Sequence, residues 1–112
     1  MPFIVSDGQG ITLRRVSNFP NPFTDRTWFT FEHDQPGNNL KITIEIFNIQ
    51  GQLMKTLRTS FSTSDYGIAP IEWDGCANNG RKLPGGIYPY RIQVENSAGS
   101  IRIQYQKLII SR

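Results

Sequence analysis

The feature that most restricts this chain is a strict alternation at its centre. Leu40, Ile42, Ile44 and Ile46 alternate with Lys41, Thr43 and Glu45. Side chains in a strand point to opposite faces in turn, so this puts four branched aliphatics on one face and polar groups on the other. Tyr88, Tyr90, Ile92 and Val94 alternate in the same way with Pro89, Arg91, Gln93 and Glu95. In the last segment Ile101, Ile103 and Tyr105 face one way against Arg102, Gln104 and Gln106. Apolar residues then change parity at Leu108 and Ile110, which predicts a bulge or bend near Lys107.

Weaker strand patterns cover Ile11–Val16, Arg26–His33, Gln52–Ser62 and Pro70–Trp73, giving about seven strands. Turn chemistry separates them: Asp7-Gly8, Pro20-Asn21-Pro22, Pro36-Gly37-Asn38-Asn39, Gln50-Gly51, Asp74-Gly75, Asn79-Gly80, Pro84-Gly85-Gly86 and Ala98-Gly99. Short alternating strands at this spacing predict an all-β fold, an immunoglobulin-like antiparallel β-sandwich. Leu53, Met54, Leu57 and Phe61 come closest to a helical stripe, but Thr56, Thr59 and Thr63 favour a strand there. Pro89 interrupts a strong strand and has no N–H to donate, which predicts that strand 86–95 lies at an edge over part of its length. Such an edge can shed aggregation partners or accept a partner strand.

A chain of 112 residues with 38% hydrophobic and 12% aromatic content suits one globular domain with a single core. Twelve basic and nine acidic residues leave a net charge of +3. The only adjacent basic pairs are Arg14-Arg15 and Arg81-Lys82, not the dense stripe of a nucleic-acid binder, so no nucleic-acid partner is expected. The excess slightly favours anionic partners such as acidic lipid headgroups or phosphorylated glycans. No apolar run approaches the ~20 residues of a membrane span. Met1–Asp7 lacks the basic and apolar regions of a signal peptide, which fits either a cytosolic protein or a piece of a longer exported one.

Chemistry is sparse. The single cysteine, Cys76, follows a turn, and the single histidine, His33, ends a strand. Neither has a third orienting group or an oxyanion motif nearby, so a surface histidine and a loop thiol are expected rather than a catalytic pair. Glu32 and Asp34 fall on the opposite face from His33, with nothing to mark a cleft. The loop Asp74–Gly80 offers oxygen donors for calcium but lacks EF-hand spacing, and tight turns use Asx residues anyway. Trp28, Phe29, Phe31, Trp73, Tyr88 and Tyr90 could form a glycan-stacking platform, although a domain this small needs most of them as core. No enzymatic activity and no cofactor are expected of these residues.

A set of motifs in order carries a resemblance. Asn18-Phe19-Pro20-Asn21-Pro22-Phe23 is followed by Ile46–Leu53, Trp73-Asp74-Gly75, Asn79-Gly80, Leu83-Pro84-Gly85-Gly86-Ile87-Tyr88-Pro89-Tyr90 and Lys107-Leu108-Ile109-Ile110. From residue 16 onward the chain resembles the C-terminal signal domains of proteins exported by the Bacteroidetes type IX secretion system. Trp-Asp-Gly and Gly-x-Tyr elements are also similar to the immunoglobulin-like domain of flagellar hook-capping proteins. Phe31–Gly37 and Ile46–Leu53 look most like the tail of that system's gingipain-type sortase, a surface cysteine peptidase. The resemblance implies a lead-in over residues 1–15, with or without a first strand, and a signal domain over 16–112. It implies an exported, outer-membrane or cell-surface location within a longer precursor. The implied partners are the outer-membrane translocon and its barrel-shaped shuttle protein, with anionic lipopolysaccharide as a further contact. Pro89, Tyr90, Lys107, Leu108, Ile109 and Ile110 are the candidate partner-binding residues, and an exposed strand edge could also pair two copies of the chain into a dimer. Pro89 and the Ser111-Arg112 extension depart from the family pattern.

Overall fold

The computed structural model describes residues 10–62 and 64–112. The lead-in through residue 9, with its Asp7-Gly8 turn, and Thr63 lie outside the described residues. Seven strands follow in order: β1 (Leu13–Phe19), β2 (Thr27–His33), β3 (Asn39–Phe47), β4 (Leu53–Ser62), β5 (Ile71–Trp73), β6 (Gly86–Glu95) and β7 (Ile101–Ile110). They form a three-stranded sheet, β1-β2-β5, and a four-stranded sheet, β4-β3-β6-β7, with every neighbour antiparallel. The described residues contain no helix long and apolar enough to cross a membrane.

The alternations become the core. Leu40, Ile42, Ile44 and Ile46 of β3 face Phe29 and Phe31 of β2 across the sandwich, joined by Tyr88, Tyr90, Ile92 and Val94 of β6. Trp73, at the end of β5, is 2% exposed. Its ring centroid lies 5.7 Å from Phe23 and 6.3 Å from Phe29, and Phe29 meets Tyr90 edge-on at 4.9 Å. This aromatic chain ties a loop and both sheets together. Of the six aromatics read as a possible glycan platform, only Trp28 is exposed.

The weaker strand boundaries need adjustment. β1 begins two residues later than Ile11 and runs on to Phe19, with a register break between Arg14 and Ser17 where Arg15 takes φ 57°. Strand β7 corrects the expected bulge near Lys107. Its pairing with β6 runs without a shift from Gly86↔Ile110 to Glu95↔Ile101. Even-numbered Leu108 and Ile110 enter the core, while odd-numbered Ile101, Ile103, Tyr105 and Ile109 all lie on the outer face, solvent-exposed. The parity never slips; the strand simply carries apolar residues on both faces.

Pro89 sits where its chemistry requires. Pairing between β3 and β6 ends at Ile46↔Tyr90, so among the described residues β6 pairs with β7 alone from Gly86 to Pro89. The residue without an N–H occupies the first position past the end of the β3 ladder, an edge as expected.

Candidate docking edge and the motif pole

Several of the ordered motifs meet at one end of the sandwich, where Arg112 bonds three loops. Arg112 donates from Nε to Leu83 O at 2.8 Å, from Nη1 to Thr24 O at 2.8 Å and from Nη2 to Gly75 O at 3.1 Å. One planar guanidinium thus fastens three loops through fixed donors. Gly75 has φ 76°, and a Cβ there would lie 2.7 Å from Arg112 Nη2 and 3.3 Å from Phe23. A Cβ on Gly85 would approach Arg112 O at 2.8 Å and Ile110 O at 3.2 Å. The glycines of Trp-Asp-Gly and Pro-Gly-Gly therefore make room for the C-terminus. Tyr88 OH donates to Pro84 O at 2.7 Å, so a tyrosine at the start of the sixth strand pins its own lead-in loop. Beside this pole an open groove of about 300 Å³ is lined by Ile49, Met54, Leu83, Pro84, Ile87 and Tyr88, among others.

The Asn21–Phe23 segment lies alongside the end of β7. Phe23 N donates to Ile109 O at 3.1 Å, and Ser111 N donates to Phe23 O at 2.7 Å. Ile109 N donates to Asn21 Oδ1 at 2.9 Å. Both backbone groups of Ile109 thus point away from β6. Alternate residues of an antiparallel ladder share that direction, so Ile101, Ile103 and Tyr105 turn their N–H and C=O groups outward too.

The candidate residues separate accordingly. Tyr90, Leu108 and Ile110 are buried, whereas Lys107 and Ile109 are exposed and Pro89 is half-buried. Pro89 and Lys107 are cross-strand partners on the outer face, next to Ile87↔Ile109. Tyr90 OH donates to Asn18 Oδ1 at 3.4 Å, and Asn18 Nδ2 donates to Thr27 Oγ1 at 3.1 Å. Burial pushes the Tyr90 phenol well above its ordinary pKa.

His33 corrects another expectation. It is 4% exposed rather than a surface residue. Nδ1 accepts from Gln35 N at 3.0 Å, while buried Nε2 has no hydrogen-bond partner among the described residues. Burial lowers its pKa, against the opposing pull of the Gly67 backbone and the Asp34 carboxylate.

In the Asp74–Gly80 loop the oxygens serve turns. Asp74 Oδ1 accepts from Cys76 N, Asn79 Oδ1 from Arg81 N, and Asn78 Oδ1 reaches across to Thr56 N. Cys76 is free and half-buried.

Sequence reasoning missed Arg112, Asn21 and the outward stripe of β7. The clamp partners lie far from Arg112 in the chain, so no local pattern announces them. The stripe was visible as an alternation, but its side was not.

The two sheets, their strand order and the tyrosine corner define an immunoglobulin-like β-sandwich. Residues 17–100 match the family described as the FlgD Ig-like domain, and the chain belongs to that family. No curated protein matches the chain in sequence. Among solved structures, dimeric latent PorU from Porphyromonas gingivalis is similar, with 32% identity and a TM-score of 0.75. That match covers 89% of this chain but only 9% of PorU, so the chain spans a small part of PorU's length. FlgD from Xanthomonas campestris, associated with hook capping, aligns at 19% identity and a TM-score of 0.60 over 89% of this chain and 69% of that one. The PmoD soluble domain from Methylocystis sp. aligns at 16% identity and a TM-score of 0.50 over 90% and 89%. These last two share the fold alone.

Proposed function

We propose that this chain is a non-catalytic C-terminal domain of a longer, sortase-like cysteine peptidase, acting as outer-membrane secretion signal and docking module. The observation that carries this reading is the 32% identity to a segment of PorU across 89% of the chain. The resemblance to type IX signal domains supplies its content: export through a translocon and hand-over to a barrel-shaped shuttle protein. Pro89, Lys107 and Ile109 form the contact surface in this reading, while Tyr90, Leu108 and Ile110 hold it from beneath. Exposed Lys107 offers a point of attraction for anionic lipopolysaccharide. The peptidase chemistry belongs to a segment of the parent outside this chain, and neither His33 nor Cys76 takes part.

The test is a reporter carrying a Sec signal and this domain, in a type IX-competent cell. Deleting Lys107–Arg112 would be uninformative, because it removes two core residues and the Arg112 clamp. Lys107→Glu with Ile109→Ser alters only the surface. Surface delivery of the parent fusion with periplasmic retention of the folded double variant supports the reading; equal delivery of both removes the assigned surface. Intact mass of the delivered protein then separates a retained domain from the cleaved tail of ordinary cargo.

A further inference from the structure

Among the described residues four strands lie at sheet edges, and the three other than β7 carry features that discourage pairing. β5 has only three residues. β1 is interrupted by the register break at Arg15. β4 shows Thr56, Arg58 and Ser60 on its outer face, and the Asn78 loop bonds to it at Met54 O and Thr56 N. Short length, irregularity, charge and a covering loop are the usual defences of an exposed edge.

Over half its length β7 has none of them except one charge, Arg102. It has ten residues in unbroken register. The Asn21–Phe23 segment occupies its edge only from Lys107 onward. Between Ile101 and Tyr105 the outward backbone groups meet no neighbouring strand among the described residues. Their side chains are apolar yet exposed: Ile101 at 52%, Ile103 at 41% and Tyr105 at 66%. Arg102, on the opposite face, and Lys107, at the end of the stripe, are exposed and make no ion pair among the described residues.

We propose that Ile101–Tyr105 is a strand-addition site for an extended segment of a partner polypeptide that alternates apolar and acidic residues. Period two sets the match. Apolar side chains of the added strand extend the Ile101, Ile103 and Tyr105 stripe, and its acidic ones fall on the face of Arg102. The backbone supplies affinity, and Asn21–Phe23 fixes where the added strand must stop. A second copy of this chain is a poorer occupant, since antiparallel pairing about Ile103 brings two Arg102 side chains near each other and joins two chains of charge +3. The proposal stands on edge geometry and charge, and survives failure of the secretion reading.

The experiment titrates the 112-residue chain with two nine-residue peptides, one alternating valine with glutamate and one alternating valine with lysine. Amide exchange is followed in parallel. The glutamate peptide binds, protects the Ile101, Ile103 and Tyr105 amides, and weakens with added salt; the lysine peptide does not bind. Ile103→Pro removes one outward N–H without removing a β6–β7 bond and lowers affinity at least tenfold. Arg102→Glu reverses the preference between peptides, and circular dichroism confirms that both variants fold. Three results overturn the proposal: no binding of the glutamate peptide, protection located elsewhere, or a dimer lost on Ile103→Pro with no peptide uptake.

Discussion

At the C-terminus a single side chain closes the fold: Arg112 serves carbonyls from Thr24, Gly75 and Leu83. Charge-assisted bonds of this kind are worth more than neutral ones, and their loss leaves several acceptors to find water. Arg112→Ala should cost about 1–3 kcal/mol in urea denaturation, and Arg112→Lys should recover little, because one ammonium cannot span three loops. Gly75→Ala should cost a similar ~1–3 kcal/mol, from its positive φ and the contact with Nη2. Part of that cost should vanish when Arg112 is already alanine, a coupling a double-mutant cycle reads directly. His33 makes a second residue-scale prediction. Its pKa is lowered on folding from 6.5, so the unfolded chain takes up a proton first. Its contribution is therefore complete above pH 6.5 and lost as the pH falls through the lowered value. At Asp34 burial would raise the pKa, but hydrogen bonds from Thr12 and Gln35 outweigh it and hold the value below 3.8. That contribution is present above pH 3.8 and lost on further acidification. The urea midpoint should thus drop between pH 7.5 and 5, and His33→Gln should flatten that window while leaving the steeper fall below pH 4.

Among the elements, those with one buried face were the most legible. In β3 and β6 the apolar parity coincides with the core, so period two located strand and face together; in β2 the same alternation carries His33 inward with Phe29 and Phe31, against the expected surface position. β6 even disclosed its partial edge through Pro89. Since the N–H that Pro89 lacks would find no β3 partner, Pro89→Val should change stability by less than about 1 kcal/mol. Proline at Ile92, paired on both sides with Ile44 and Gln104, should cost far more. The same melting experiment checks both. For β7 the change of apolar parity predicts a bulge, and the pairing with β6 shows none. An alternation states that two faces differ; it does not say which one the second sheet covers. Because β7 is an edge strand, the facing sheet covers Leu108 and Ile110 and leaves Arg102 exposed. Of the register breaks among the described residues, at Arg15 and between Ile46 and Phe47, the first has no such signal, since Arg14-Arg15 reads as an ordinary polar pair. Asn21 and Arg112 were hidden for another reason: their partners lie more than 80 residues away for Asn21 and Thr24, a separation no window spans.

For the whole molecule, the proposed secretion role raises the question whether its reader senses a short terminal sequence or a folded surface. The structure makes the two hard to separate by truncation, because the terminal residues are simultaneously strand, core and clamp. Substitutions remote in sequence separate them. Trp73 shares no segment with the C-terminus, yet its ring links Phe23, Phe29 and through it Tyr90. Trp73→Ala should cost about 3–5 kcal/mol, a large fraction of the stability of a domain this size. On the proposed secretion role, a reporter fused to the Trp73→Ala domain should lose surface delivery even though Lys107–Arg112 is intact. Lys107→Glu with Ile109→Ser should lose it while the melting temperature stays close to the parent's. If Trp73→Ala unfolds the domain and delivery persists, the signal is read as linear sequence, and the sandwich serves only to carry it. Loss in both, with folding lost in only one, assigns the signal to a surface that exists only when both sheets are closed.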